Sequence, residues 1–230
     1  MIPRNLALVR EKIRLSARQA RREPDEITLV CVAKGRSLEE VREAISCGAG
    51  DIGENRVQEA KERHASLGAA GARWHMVGHL QTNKAKDAVR MFDLIHSVDS
   101  YALALEIDKQ AARISKVQDI LIEVNTSGET AKYGIPRENV LGLVKDIISL
   151  KNIRLSGLMT MAPVVNDQEH ARPFFRRLRE LQGEVNVFLS TLSYKPSTIL
   201  SMGMSQDYEV AIREGATMVR IGTAIFGENE

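Results

Sequence analysis

Two segments late in the chain have the make-up of an anion site. Ile199-Leu-Ser201-Met-Gly203-Met-Ser205 and Met218-Val-Arg220-Ile-Gly222-Thr223-Ala224 are apolar runs that end in glycine and hydroxyl residues. Such strand ends let backbone N–H groups approach an anion with no Cβ in the way. Far upstream, Lys34 closes the apolar run Val30-Cys-Val-Ala33. A lysine there leaves the core by its stem and brings its amine to the sheet's edge. The unprotonated amine attacks aldehydes.

An amine and a phosphate cradle on one face suggest a phosphorylated aldehyde held as a Schiff base. Pyridoxal 5′-phosphate has both groups. Arg220 lies two residues before Gly222, so strand alternation points both the same way. Its guanidinium could neutralise the phosphate or donate to the pyridine nitrogen; the structural alternative is a buried pair with a carboxylate. An arginine at that nitrogen keeps the ring unprotonated and makes it a weaker electron sink. Gly53-Glu-Asn55 and His79-Leu-Gln81-Thr-Asn83-Lys84 add amides and hydroxyls that could contact the ring or close the pocket. His79 is either a general base or an ordinary loop histidine. No HxH, HExxH, GxSxG or GxxxxGK[ST] pattern occurs, so no metal site is expected.

Alternating strand-like and helix-like segments must position these groups. Ile27–Ala33 is a continuous β-branched run, as expected for a strand buried on both faces. Ser37 and Glu40 form a capping box for the helix that follows. Further strands are expected at 51–53, 74–78, 94–98, 119–125, 153–161, 198–202 and 218–221. Helices are expected between them, including 83–92, 136–148 and 169–182. Eight strands with crossovers long enough for parallel pairing predict a (β/α)8 barrel. Such barrels carry their sites at the C-terminal strand ends, often with phosphate held by the loops after strands seven and eight. Leu6, Val9, Ile13 and Ala17 mark an extra amphipathic N-terminal helix. No linker, repeat or low-complexity tract interrupts residues 1–230, so one domain is expected.

Composition narrows the class. The 230 residues are 43% hydrophobic with a net charge of +2, which gives no argument for nucleic acid or an anionic membrane. The basic residues near the N-terminus read as a solvated helix face, because no aromatic is interleaved. Two cysteines and no apolar leader suit a reducing cytoplasm. No run is long and apolar enough for a membrane span.

At these residues the chain resembles the pyridoxal phosphate homeostasis protein family. The blocks that carry the resemblance are Val32-Ala-Lys34, 53–59, 74–84, His96-Ser-Val-Asp99, Val124-Asn125, 157–161, Leu200-Ser-Met-Gly-Met-Ser205 and 215–227, in order along nearly the whole chain. The family looks like the barrel domain of alanine racemase standing alone, a type III pyridoxal phosphate fold. The resemblance implies that Lys34 forms the internal aldimine, that Ser201, Gly222 and Thr223 hold the phosphate, that Arg220 faces the pyridine nitrogen, and that Asn55 lies close to the cofactor.

The racemase places a second acid/base, a tyrosine, on an additional C-terminal domain. This chain stops at Glu230, just after the eighth strand. A reservoir or carrier of pyridoxal phosphate without turnover is therefore expected, with apo-enzymes as recipients and a monomeric state. The alternative is an amino-acid racemase or lyase, in which Tyr133, His79 or Tyr208 would supply the second base.

Overall fold

The computed structural model describes residues 1–68, 71–129 and 132–228. The strands are β1 (Thr28–Val32), β2 (Asp51–Glu54), β3 (Arg73–Met76), β4 (Leu94–Val98), β5 (Gln118–Asn125), β6 (Ile153–Met159), β7 (Ile199–Ser201) and β8 (Met218–Ile221). All pair in parallel with their sequence neighbours, and β8 returns to β1. The ring is the expected (β/α)8 barrel. Its seam joins the two ends of the chain, with Val30 opposite Arg220 and Cys31 opposite Ile221. A two-residue extended piece, Ile135–Pro136, pairs with the end of β5.

The helices are α1 (Ile2–Gln19), α2 (Leu38–Ser46), α3 (Val57–Leu67), α4 (Ala85–Met91), α5 (Tyr101–Ala112), α6 (Val140–Ile147), α7 (Arg172–Thr191), α8 (Tyr208–Arg213) and α9 (Thr223–Phe226). Ser37 caps α2 as expected: its Oγ accepts from Glu40 N at 3.2 Å, and Glu40 Oε2 accepts from Ser37 N at 2.8 Å. The expected helix at 169–182 starts later and runs further. A 3₁₀ turn at Gln168–Ala171, capped by Asp167, precedes α7, and Val185 and Leu189 extend the buried stripe to Thr191. In α1, Ile2, Leu6, Val9, Ile13 and Ala17 are buried, and the helix packs on α8, α9 and α2. Among the described residues no helix is long and apolar enough to cross a membrane.

Strand alternation divides the buried residues into two cores. Outward residues such as Cys31, Ile52, Trp74, Met76, Ile95, Ile120, Leu158, Leu200 and Val219 join the helices in an annular core. Val30, Val77, Leu94, Leu121, Met159 and Met218 form a separate cluster inside the ring. The same inward parity carries His75, His96, Glu123, Ser201 and Arg220, all buried.

Candidate functional site

A cavity of about 370 Å³ opens at the C-terminal ends of the strands. Lys34, Asn55, Arg220, Gly222 and Thr223 line it, together with Ser205, Met204, Asp207 and the apolar segment Met161, Pro163, Val164 and Val165. Five of the six residues expected at a ligand site thus surround one space. Its size is in the range of small-molecule sites.

Lys34 is separated from the end of β1 by one residue, Ala33, and is exposed. The loop behind it is clamped from two sides. Arg36 donates to the carbonyls of Phe226, Gly227 and Glu228, which ties the loop after β1 to the turn after α9. Arg63 on α3 donates to Arg36 O at 2.6 Å, and its other nitrogen reaches both oxygens of Glu54 at 2.8 Å. Glu54 is fully buried at the end of β2, next to Asn55. Burial outweighs the attraction of Arg63 and pushes its carboxyl up to about 7. Asn55 is seated by a close approach: a Cβ on Gly78 would stand 2.3 Å from Asn55 O. The Glu54–Arg63 clamp was absent from the sequence reading. A carboxylate at the end of an apolar strand was its one signal, since such a group needs a cation when buried.

The loop after β7 turns sharply. Gly203 has φ +93°, and a Cβ there would lie 2.6 Å from Ala211 Cβ, so a side chain is excluded on both counts. Asp207 then accepts from Met204 N at 2.6 Å and holds the turn that presents Ser205. Ser205 Oγ accepts from Ala224 N at 3.3 Å and bridges the loops after β7 and β8. The hydroxyl and glycine groups of the two loops therefore converge through Ser205, Gly222 and Thr223.

Ser201 stands elsewhere. It is wholly buried inside the ring and does not line the cavity. Its Oγ accepts from Arg220 Nη1 at 2.7 Å and lies 3.0 Å from His96 Nδ1. The resemblance implies that Ser201 holds the phosphate; its side chain follows the inward pleat of β7, while Ser205, beyond the glycine turn, lines the cavity.

Arg220 is 4% exposed and forms the cavity floor. Its Nη2 donates to Thr160 O at 2.9 Å. Among the described residues no carboxylate lies within ion-pair distance of it, so the structural alternative of a buried ion pair does not hold. Burial pulls its pKa down to about 10, opposed at longer range by Glu123 and Asp207. The guanidinium stays cationic at neutral pH.

A second cavity of about 380 Å³ adjoins the first and shares Lys34 and Asn55 with it. Its wall includes His79, Gln81, Lys84 and Tyr133. His79 stacks on Tyr133 with centroids 4.1 Å apart and lies 3.9 Å from Asp99. Tyr208 is buried in the annular core, where burial raises its phenol to about 12.

The family described as alanine racemase, N-terminal domain, matches residues 5–230. The pyridoxal phosphate homeostasis protein of Aquifex aeolicus is 44% identical over 229 residues, covering 98% of this chain and 97% of its own length. That of Pseudomonas aeruginosa is 38% identical, covering 100% of this chain and 96% of its own. Among solved structures, PipY of Synechococcus elongatus PCC7942 with PLP bound superposes with a TM-score of 0.86 at 32% identity, covering 99% of this chain and 100% of that one. Barrel, cavity lining and relatives agree: this chain belongs to the pyridoxal phosphate homeostasis protein family, built on the alanine racemase N-terminal-domain barrel.

Proposed function

We propose that the chain binds pyridoxal 5′-phosphate in the mouth cavity and serves as its reservoir and carrier in the cytoplasm, without turning over a substrate of its own. One observation carries this reading: a lysine amine, a buried guanidinium and a hydroxyl-and-glycine pair of loops line the same cavity. The donor set fits the group. Lys34 is the attachment point for the aldehyde, Arg220 faces the ring nitrogen, Asn55 flanks the ring, and Ser205, Gly222 and Thr223 hold the phosphate. When bound, pyridoxal phosphate supplies a reactive carbonyl that the lysine masks. The names of the full-length relatives and the PLP-bound PipY support the same ligand.

Absence of turnover is supported by the proton carriers at the cavity. Racemisation needs an acid and a base on opposite faces of the substrate. Of the titratable groups lining the cavity, Arg36 is engaged by the carbonyls of Phe226, Gly227 and Glu228, and Arg220 stays cationic at neutral pH. Asp207 is tied to Met204 N, with its pKa raised by burial. Lys34 is left as the mobile proton carrier, and Tyr208 lies in the annular core. His79 and Tyr133 belong to the neighbouring cavity and stack on each other.

Protein incubated with pyridoxal phosphate, reduced with borohydride and digested should give a single modified peptide containing Lys34. The loaded protein, given L- and D-amino acids in deuterium oxide, should exchange Cα hydrogen no faster than free cofactor. Exchange well above that level would replace the carrier with a racemase or lyase. Delivery is distinguished from buffering by adding the loaded protein to an apo-enzyme: a carrier restores activity faster than free cofactor at equal concentration. A monomer is expected in light scattering.

A further inference from the structure

An unbroken line of hydrogen bonds runs through the lumen from the barrel's base to its mouth. Asp51 opens β2 at the base, and its Oδ1 lies 2.8 Å from His75 Nε2. His75 Nδ1 is 3.0 Å from His96 Nε2, and His96 Nδ1 is 3.0 Å from Ser201 Oγ. Arg220 Nη1 reaches the same oxygen at 2.7 Å. Both histidines and Ser201 are wholly buried, while the Asp51 side chain is 19% exposed.

With both rings neutral, the two ends of the line dictate its direction. Arg220 has only donors, so Ser201 Oγ accepts from it, and the serine's single O–H proton goes to His96 Nδ1. His96 then carries its proton on Nε2 and donates to His75 Nδ1. His75 in turn carries its proton on Nε2 and donates to the Asp51 carboxylate, which only accepts. Burial first, then His75, Arg220 and Arg73, holds His96 in the neutral form that this order requires. The guanidinium thereby gains a second anchor beside Thr160 O, and two anchors fix its plane where one would leave it free to turn.

We infer that Asp51, His75, His96 and Ser201 are positioning residues: they form a one-way hydrogen-bond line that locks the Arg220 guanidinium at the cavity floor in the orientation that receives the ligand. This rests on the reading of that cavity as a pyridoxal phosphate site. Asp51 and His75 do not line the cavity, so they act only through the line.

The test has two arms. In ligand-free protein, ¹⁵N NMR of the imidazole rings should find His96 protonated on Nε2 and bare on Nδ1, without titrating between about pH 5 and pH 8. The opposite tautomer, or a titrating His96, overturns the line. In the second arm, Asp51→Ala and His75→Phe should each weaken pyridoxal phosphate binding by up to about tenfold, the scale of one hydrogen bond to a charged group. Each should also shift the pH profile of the bound cofactor's absorbance. Ser201→Ala should do the same, and Ser201→Thr, which keeps the hydroxyl, should restore wild-type binding. Wild-type affinity in folded Asp51→Ala and His75→Phe overturns the proposal. If His75→Phe does not fold, Asp51→Ala at the partly exposed base decides. A wild-type protein that binds no pyridoxal phosphate defeats the reading of the cavity, while the tautomer of His96 still tests the line.

Discussion

The annular core and the lumen are made by the same eight strands and follow different rules. Outward side chains face the helices, and the annulus is mainly apolar, from Cys31 and Ile52 to Val219 and Ile221, with the Glu54–Arg63 pair as its charged exception. Inward side chains share a narrow space in which six apolar residues sit beside His75, His96, Glu123, Ser201 and Arg220. Burying polar groups is costly unless each finds a partner, and His75, His96, Ser201 and Arg220 meet that demand with a chain of mutual bonds. The annulus gives the barrel its stability. The lumen holds one cation under the cavity.

Substitutions can break or sharpen that contrast. The largest expected effect is on binding alone: Lys34→Ala should abolish the borohydride-trapped adduct, yet shift stability by no more than about 0.5 kcal/mol, as for exposed sites. Peptide mass spectrometry and urea unfolding check the two halves. Phe175→Ala, in the annulus on α7, is the mirror image. It should lower unfolding stability by about 3–5 kcal/mol and leave the folded protein's affinity for pyridoxal phosphate within about twofold. Affinity that falls in step with stability would show that the two cores are not independent.

A lumen carboxylate gives a pH signature of intermediate size. Burial, reinforced by Asp99 and opposed by Arg220, pushes Glu123 from 4.5 up to about 7. The folded state therefore holds this proton more tightly than the unfolded chain, and the stability so gained is present below pH 4.5 and lost as pH rises through about 7. Melting curves of Glu123→Gln should lack this component, a difference of up to about 3 kcal/mol across the window. Equal pH slopes for the two proteins would count against a buried, raised Glu123. The smallest effect is at the loops: Ser205→Ala should weaken pyridoxal phosphate about three- to tenfold. Binding of pyridoxal, which lacks the phosphate, should change less. Titration with both ligands separates the two.

Much of this was legible because barrel chemistry lies at strand ends, and strand ends are marked in sequence. Lys34 after an apolar run, and glycine with hydroxyl residues after two others, stand out wherever the ring closes. Ser201 shows where that reading ends. It sits four residues before Ser205 in one motif, and only the left-handed turn at Gly203 decides which hydroxyl reaches the cavity. His75 and His96 were harder still. The strands are apolar on both faces, so no alternation told the inward positions from the outward ones. The two histidines come from adjacent strands 21 residues apart, a pairing no local spacing encodes. The Arg36 contacts to residues 226–228 depend on the seam, another contact between distant parts of the chain.

That seam has a consequence for how the protein is made. Lys34 follows the first strand and Arg220 lies on the last, and the two strands are neighbours only in the closed ring. Contacts this distant in sequence form late, since the entropy of closing the loop must be met first. Every cavity residue on β8 and after it also leaves the ribosome after the other strands of the barrel. Capacity to bind the cofactor is thus a report that the whole barrel has been synthesised and shut. A ligand spanning both sides of the seam acts as a clasp, favouring the closed ring over any form in which it has parted.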